Sequence, residues 1–245
     1  MRHWLRSYLL LLRWNLLRMR TFLPLLLIAQ LMMSGGIVLG FSILIPEHDR
    51  VTVLYLSTGA PTVALIMAGM VLAPQALSQQ KLRGLFDYQR AMPVPRLAML
   101  AADASVWTVL ALPGMVGALV VAALRFDLSY DVSPLVVPAA LLVALVAISI
   151  GYGIAYLAKP EVTTVLTNLV IFVAFVFAPV NYPAERLPDW LAATHQWLPF
   201  QYMAQAMRET IDVPAGGVPA LPFAMLAIWG LAGLAVTARI MTRRT

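Results

Sequence analysis

Six stretches of this 245-residue chain carry no Asp, Glu, Lys or Arg: residues 21–46, 51–80, 104–124, 135–158, 162–184 and 213–238. A helix rises about 1.5 Å per residue, so about 20 apolar residues cross a hydrocarbon core of roughly 30 Å. Hydrocarbon offers no partner to a bare N–H or C=O, so a spanning segment must bond its own backbone. The pattern therefore predicts an all-α integral membrane protein with six transmembrane helices, placed at 21–46, 51–77, 97–124, 135–158, 162–180 and 213–238. The third is extended back to Leu97 and takes in Asp103. Composition agrees: 61% of residues are hydrophobic and only 11% charged, against about 25% charged in soluble domains.

An even number of spans puts both termini on one side, and basic residues say which. Of the 17 Lys and Arg, thirteen fall on the side that carries the termini. They are Arg2, Arg6, Arg13, Arg18, Arg20, Lys81, Arg83, Arg90, Arg96, Lys159, Arg239, Arg243 and Arg244. Only Arg50, Arg125, Arg186 and Arg208 fall on the other, where Glu47, Asp49, Asp127, Asp131, Glu185, Asp189, Glu209 and Asp212 gather. The positive-inside rule then makes both termini cytoplasmic. The net charge of +6 is read as this orientation signal and not as a nucleic-acid surface, because the cations sit in short segments between apolar runs.

Several chemistries are missing. With no cysteine there are no disulfides, thiolate metal sites or thiol nucleophiles. Neither Lys81 nor Lys159 follows a glycine, so there is no phosphate-binding loop. His3, His48 and His195 are far apart and read as surface or interfacial residues. Arg13 cuts the short apolar stretch 8–12, which argues against a cleavable signal peptide.

The segments outside the spans are unequal. Residues 1–20 form an amphipathic helix: at about 100° per residue Arg2, Arg6, Arg13 and Arg20 fall within about 40° of one another. Such a helix lies along the inner membrane surface, or serves only to hold the first span in place. Residues 79–92 read as a short cytoplasmic helix stopped by Pro93 and Pro95. Leu82, Leu85 and Phe86 occupy one side, and Lys81, Arg83 and Arg90 the other. That suits docking on a cytoplasmic partner, the alternative being a solvated basic loop. Residues 181–210 read as an external hairpin of two short helices, from about Pro188 and Pro199, with Trp190, Trp197, Phe200 and Tyr202 at headgroup level. Within the spans, Gly36 and Gly40 make a small-xxx-small face, for packing within the chain or between chains. Pro61, Pro113, Pro138 and Pro222 can kink their helices. Asp103, within about two turns of the inner end of span three, is a candidate for a pathway or coupling role, or a carboxylate paired with Arg96 or Arg90.

Taken together, these residues resemble the permease subunits of type-2 ABC exporters along nearly the whole chain. The likeness rests most on Pro93-Val94-Pro95-Arg96 and on Leu187, Pro188 and Trp190 followed by Leu198, Pro199, Phe200, Tyr202 and Arg208. The chain departs from the family pattern around the loop glycine, where Gln79, Gln80 and Leu85 replace an acidic residue and a threonine. The resemblance implies a multi-pass protein of the bacterial inner membrane. A second permease chain, identical or homologous, would pair through spans one and five, with Gly36 and Gly40 at the seam. ATP and Mg would sit on a separate ATP-binding cassette ATPase, leaving no cofactor and no catalytic residue on this chain. Lys81, Leu82, Arg83, Gly84, Leu85, Phe86 and Arg90 would pass ATPase closure to the spans. The cargo would be an amphipathic small molecule, a drug or antibiotic, moved outward; a lipid or polysaccharide exporter looks alike.

Three other readings compete. A membrane-embedded lipid-modifying enzyme needs a convergent site, and Asp103, His195 and Glu209 form no recognised set. A proton-driven carrier calls for more intramembrane charge and an internal repeat. A non-transport membrane subunit shares the spans but has no need of a docking helix.

Overall fold

A long charge-free stretch becomes a buried helix only if its polar side chains and small residues find protein, because lipid is as apolar as leucine. The computed structural model, which describes residues 2–44, 50–85, 88, 92 and 94–242, is organised on that rule. Among the described residues there is no strand. Six helices are long and apolar enough to cross a membrane, and the protein is an all-α integral membrane protein.

In chain order the helices are α1 (Arg2–Met19), α2 (Leu23–Leu44), α3 (Arg50–Met67), a π-helical turn (Ala68–Leu72), α4 (Ala73–Leu82), α5 (Arg96–Phe126), α6 (Val136–Leu157), α7 (Pro160–Phe177), α8 (Asp189–His195), α9 (Pro199–Ile211) and α10 (Leu221–Thr242). The spanning helices are α2, the continuous run from α3 through the π turn to α4, α5, α6, α7 and α10. One end of the bundle carries α1 and the start of α5, and is called here the basic end. The other carries α8 and α9, the hairpin end.

The helix Arg50–Leu82 is the centre of the bundle, with 89% of its most apolar window buried. At 33 residues it is about 50 Å long, longer than a hydrocarbon core. Three of its hydroxyls are satisfied locally: Ser57, Thr58 and Thr62 donate to the carbonyls of Leu54, Leu54 and Thr58, the back-bonding that lets buried Ser and Thr sit in a helix. Around this axis α5 and α6 pack, with α9 against α3 and α6.

The peripheral spans have an inverted pattern. On α2 the buried stripe is Gln30, Ser34, Val38 and Ser42, one residue per turn, facing α3 and α5. Its opposite face, with Leu25, Ile28, Met32 and Ile43, is exposed. On α7 only Thr163, Thr167 and Ala174 are buried, while Val165, Leu169 and Phe172 face out.

One helix boundary and two kinks differ from the sequence reading. Residues 213–220, predicted as the start of the sixth span, are not helical, and α10 begins at Leu221. Pro214, Pro219 and Gly217, at φ +82°, break the backbone where hydropathy alone saw an apolar run. Pro138 and Pro222 lie in the first turns of α6 and α10, where no N–H is needed and no kink results. Of the four, Pro61 and Pro113 are inside helices.

Candidate functional site

The basic end is built from the last turns of α1 and α4 and the first of α5. Helix α4 runs to Leu82, where the backbone of Arg83 and Gly84 turns back onto the carbonyls of Gln79 and Lys81. Gly84 has φ +70°, a left-handed conformation that glycine adopts without a Cβ clash. Helical bonding resumes beyond it, with the Tyr88 N–H donating to the Gly84 carbonyl. The helix predicted at 79–92 is therefore divided. Lys81 and Leu82 belong to the end of the span-two helix, Gly84 is a hinge-like turn, and Leu85 opens the next segment. Phe86 and Arg90 lie outside the described residues.

Lys81 does not point outward as a docking cation would. Its ammonium donates to the carbonyls of Ala155 at 2.5 Å and Ala158 at 3.5 Å, and lies 5.9 Å from the centre of the Tyr156 ring. It caps the carboxyl end of α6, where unsatisfied carbonyls and the helix dipole favour a cation. Among the described residues of this turn, Leu82, Arg83 and Tyr88 have exposed side chains. Tyr88 carried no signal in the sequence, having neither charge nor a place in the apolar pattern.

Asp103 is buried, with 6% of its surface exposed, and faces α1. Asn15 donates to its carboxylate and the Arg18 guanidinium supplies the nearby positive charge. A second bond joins Tyr8 and Ser105 hydroxyls at 2.9 Å. Among the described residues the groups shown beside the Asp103 carboxylate come from α1; Arg90, which the sequence offered with Arg96 as a partner, lies outside the described residues. The reason lies in the faces of α1, where Ser7, Leu11 and Asn15 are buried while Leu5, Leu9, Leu16 and Leu17 are exposed. Its polar residues bond to protein and its leucines face outward, as in a helix sunk beside the bundle.

Gly36 and Gly40 have open space where a Cβ would stand, so they do not pack the chain against itself. Close approach of α2 and α5 is made instead at Gly114 and Gly117, which receive Gln30 and Leu31. Between two other spanning helices, Gln75 of α4 donates to Thr167 at 3.3 Å and to Asn168 at 3.2 Å on α7, and Asn168 is exposed.

At the hairpin end a recess of about 240 Å³ is lined by Tyr55, Glu185, Gln201, Gln205, Arg208 and Glu209, among others. The Arg208 guanidinium lies 3.6 Å from the centre of the Tyr55 ring and donates to the Val180 carbonyl at 2.9 Å. Burial lowers its pKa to about 10, against the raising influence of Tyr55, Glu209 and Glu185. Burial raises that of Glu209 from the ordinary carboxylate value, while Gln205 donates to it at 2.8 Å. Trp190 and Trp197 are exposed, but Tyr202 is buried and its hydroxyl donates to the Gln196 carbonyl. Phe200 is packed against the core. Both turn inward because α9 lies on α3, α6 and α10. His195 is not a surface residue either: it is 3% exposed, with the Phe177 backbone at the end of α7 beside it. Burial holds its pKa below the usual imidazole value. His3 is exposed, and His48 is outside the described residues. Among the described residues no three His, Asp or Glu converge to hold a metal ion.

No curated protein matches the chain in a sequence comparison. A family model does: that of the ABC-2 type transporter, over residues 58–211. The matched segment runs from the middle of α3 through the turn at Gly84, α5, α6 and α7 to the end of α9, and so takes in most of the bundle and the hairpin. Six spanning helices, the central helix that reaches the basic end, and this match over more than half of the chain together place it: the chain belongs to the ABC-2 type transporter family and is a membrane-spanning permease component of an ABC transporter.

Proposed function

We propose that this permease exports a small amphipathic compound, a drug or antibiotic, outward across the inner membrane of a bacterial cell. ATP and Mg are bound by a separate ABC ATPase, the kind of partner the family implies. The basic end faces the cytoplasm, following the thirteen-to-four bias of cations. The ATPase docks on Leu82, Arg83 and Tyr88 and on the segment that Leu85 opens, with Phe86 and Arg90 further along it. Lys81 acts within the permease, fastening α4 to α6.

The observation that carries this reading is the helix Arg50–Leu82, buried in the bundle core and ending on an exposed turn. A close-packed helix transmits a displacement at its end, because its neighbours leave no slack to absorb it. A push on the turn at Gly84 therefore moves residues that touch α5, α6 and α9. A second permease chain, identical or homologous, covers the outer faces of α2 and α7. Gly36 and Gly40 leave room for it, and Asn168 gains a polar partner that lipid cannot give. Asp103 serves coupling by holding α1 to span three.

The test is co-purification. With a tag on the carboxyl terminus and a mild detergent, the wild type brings down a stoichiometric ABC ATPase, and the complex hydrolyses ATP faster with an amphipathic drug present. Leu82→Glu places a charge on an exposed apolar side chain and abolishes co-purification while the permease stays folded. A wild type that is extracted intact with no ATPase, even after crosslinking in the membrane, overturns the reading.

A further inference from the structure

At the basic end, a second recess of about 240 Å³ lies between the end of α1, the start of α2 and the turn after α4. Its walls include Arg18, Phe22, Gln79, Gln80, Arg83 and Leu85. We propose that this recess binds the phosphate of an anionic lipid headgroup between the Arg18 and Arg83 guanidinium groups, a site beside the ATPase contact at Leu82 that shares Arg83 with it.

Three observations carry the proposal. The first is unmatched hydrogen-bonding capacity: Nη1 of Arg18 and Oε1 of Gln80 are both buried and without a partner. A buried polar atom is normally bonded, and both residues line the same hollow, so a small rotation of each side chain brings the guanidinium to a phosphate oxygen and the amide oxygen to a hydroxyl of a polyol headgroup. The second is charge. Asp103 lies near Arg18 on the side of the bundle core, so among the described residues one carboxylate stands against two guanidinium groups, and Arg83 is exposed. The third is the wall opposite the cations. Phe22 is 63% exposed and is followed one turn on by Leu25, 66% exposed, on the outward face of α2. A free anion has no use for that apolar strip, and an acidic side chain of a protein partner has none either. A lipid held by its phosphate lays its acyl chains along it.

Such a lipid touches α1, α2 and the turn after α4 at once, and so makes the connection between the surface helix and the coupling turn depend on the membrane's anionic content. Binding requires neither ATP nor cargo.

The experiment is native mass spectrometry of the purified full-length permease released from detergent with equal concentrations of dioleoyl phosphatidylglycerol and dioleoyl phosphatidylcholine. The wild type retains phosphatidylglycerol in preference. Arg83→Gln reduces that preference roughly fivefold, the equivalent of ~1 kcal/mol for one juxtamembrane cation. Arg83 is exposed, so the substitution leaves the fold intact, and an unchanged elution volume checks it; Arg18 also serves Asp103 and is the poorer choice. Leu82→Ser, which takes the apolar contact from the ATPase without adding charge, keeps the preference, so failure of the exporter reading and failure of this one are told apart. Equal retention of the two lipids, or a preference untouched by Arg83→Gln, overturns the site. Displacement of the lipid by excess inorganic phosphate reassigns it to a free anion, and displacement by the bound ATPase reassigns it to the docking surface; either result overturns the lipid assignment.

Discussion

At the scale of single residues, the glycines that matter most are ones no motif marks. A Cβ on Gly151 would stand against the Gly69 carbonyl oxygen, and 3.1 Å from the Met70 Cα. One on Gly69 would stand 2.6 Å from the Ala147 Cβ and 2.7 Å from the Ile148 nitrogen. Most of these neighbours are backbone, which cannot rotate away, so α6 and the π turn must separate to admit one methyl group. Gly151→Ala is expected to destabilise the permease by about 1–3 kcal/mol, the range for overpacking, seen as a lower unfolding temperature in detergent. Gly36→Ala, with nothing within 4 Å, leaves the isolated chain at the wild-type temperature. Equal stability of Gly151→Ala and wild type would show that the two helices do not meet at this pair. Sequence spacing favours Gly36 and Gly40 because they lie four apart on one helix. Gly69 and Gly151 lie on different helices, and only the tertiary fold makes them partners.

At the scale of elements, the π turn Ala68–Leu72 sets how the central helix presents its end. A π turn holds one residue more than the α-helix it interrupts, so everything beyond it is rotated by about 100° relative to an unbroken helix. That rotation brings Lys81 onto the carbonyls of α6 and Gln75 onto α7. Deleting Val71 restores α-helical phase, turns both away from these partners and re-aims Leu82 and Arg83. The shortened permease should still insert, as six spans remain, but should fail to retain the ATPase on co-purification. Retention at the wild-type level would mean that the phase of α4 is immaterial to docking. The elements divide by how far hydropathy can see. Six spans are legible because length and apolarity are properties of each stretch by itself. The π turn, the capping role of Lys81 and the burial of His195 are not, since each depends on what a neighbouring helix places opposite. The late start of α10 was legible in principle: Pro214, Gly216, Gly217 and Pro219 are all turn formers, outweighed in the reading by their apolar neighbours. For the candidate site, the basic character of the turn was visible, but not which of its side chains face outward. Lys81 and Arg83 have the same charge and opposite fates, because two residues of helix separate them by about 200°.

At the scale of the whole molecule, orientation decides what each end can meet. The cations of the basic end lie on α1, on the turn after α4 and at the start of α5, three segments that the fold gathers at one end. At the hairpin end, Arg208 is consumed internally by Tyr55 and Val180, so the outward-facing charge there is still more acidic than the sequence count suggests. Both features favour a basic end held at the cytoplasmic leaflet. The chain contains no cysteine, so a single introduced thiol reports on one position without background. His3 is exposed on α1 and Gly216 is exposed in the loop before α10, where an added Cβ meets nothing within 4 Å. In intact cells a membrane-impermeant maleimide should label Gly216→Cys and leave His3→Cys untouched, with His3→Cys reacting only after lysis. The opposite pattern would invert the molecule and remove the turn at Gly84 from reach of a cytoplasmic ATPase. Labelling of both in intact cells would place the termini apart, which six spans forbid, and would mean that one of the six helices does not cross.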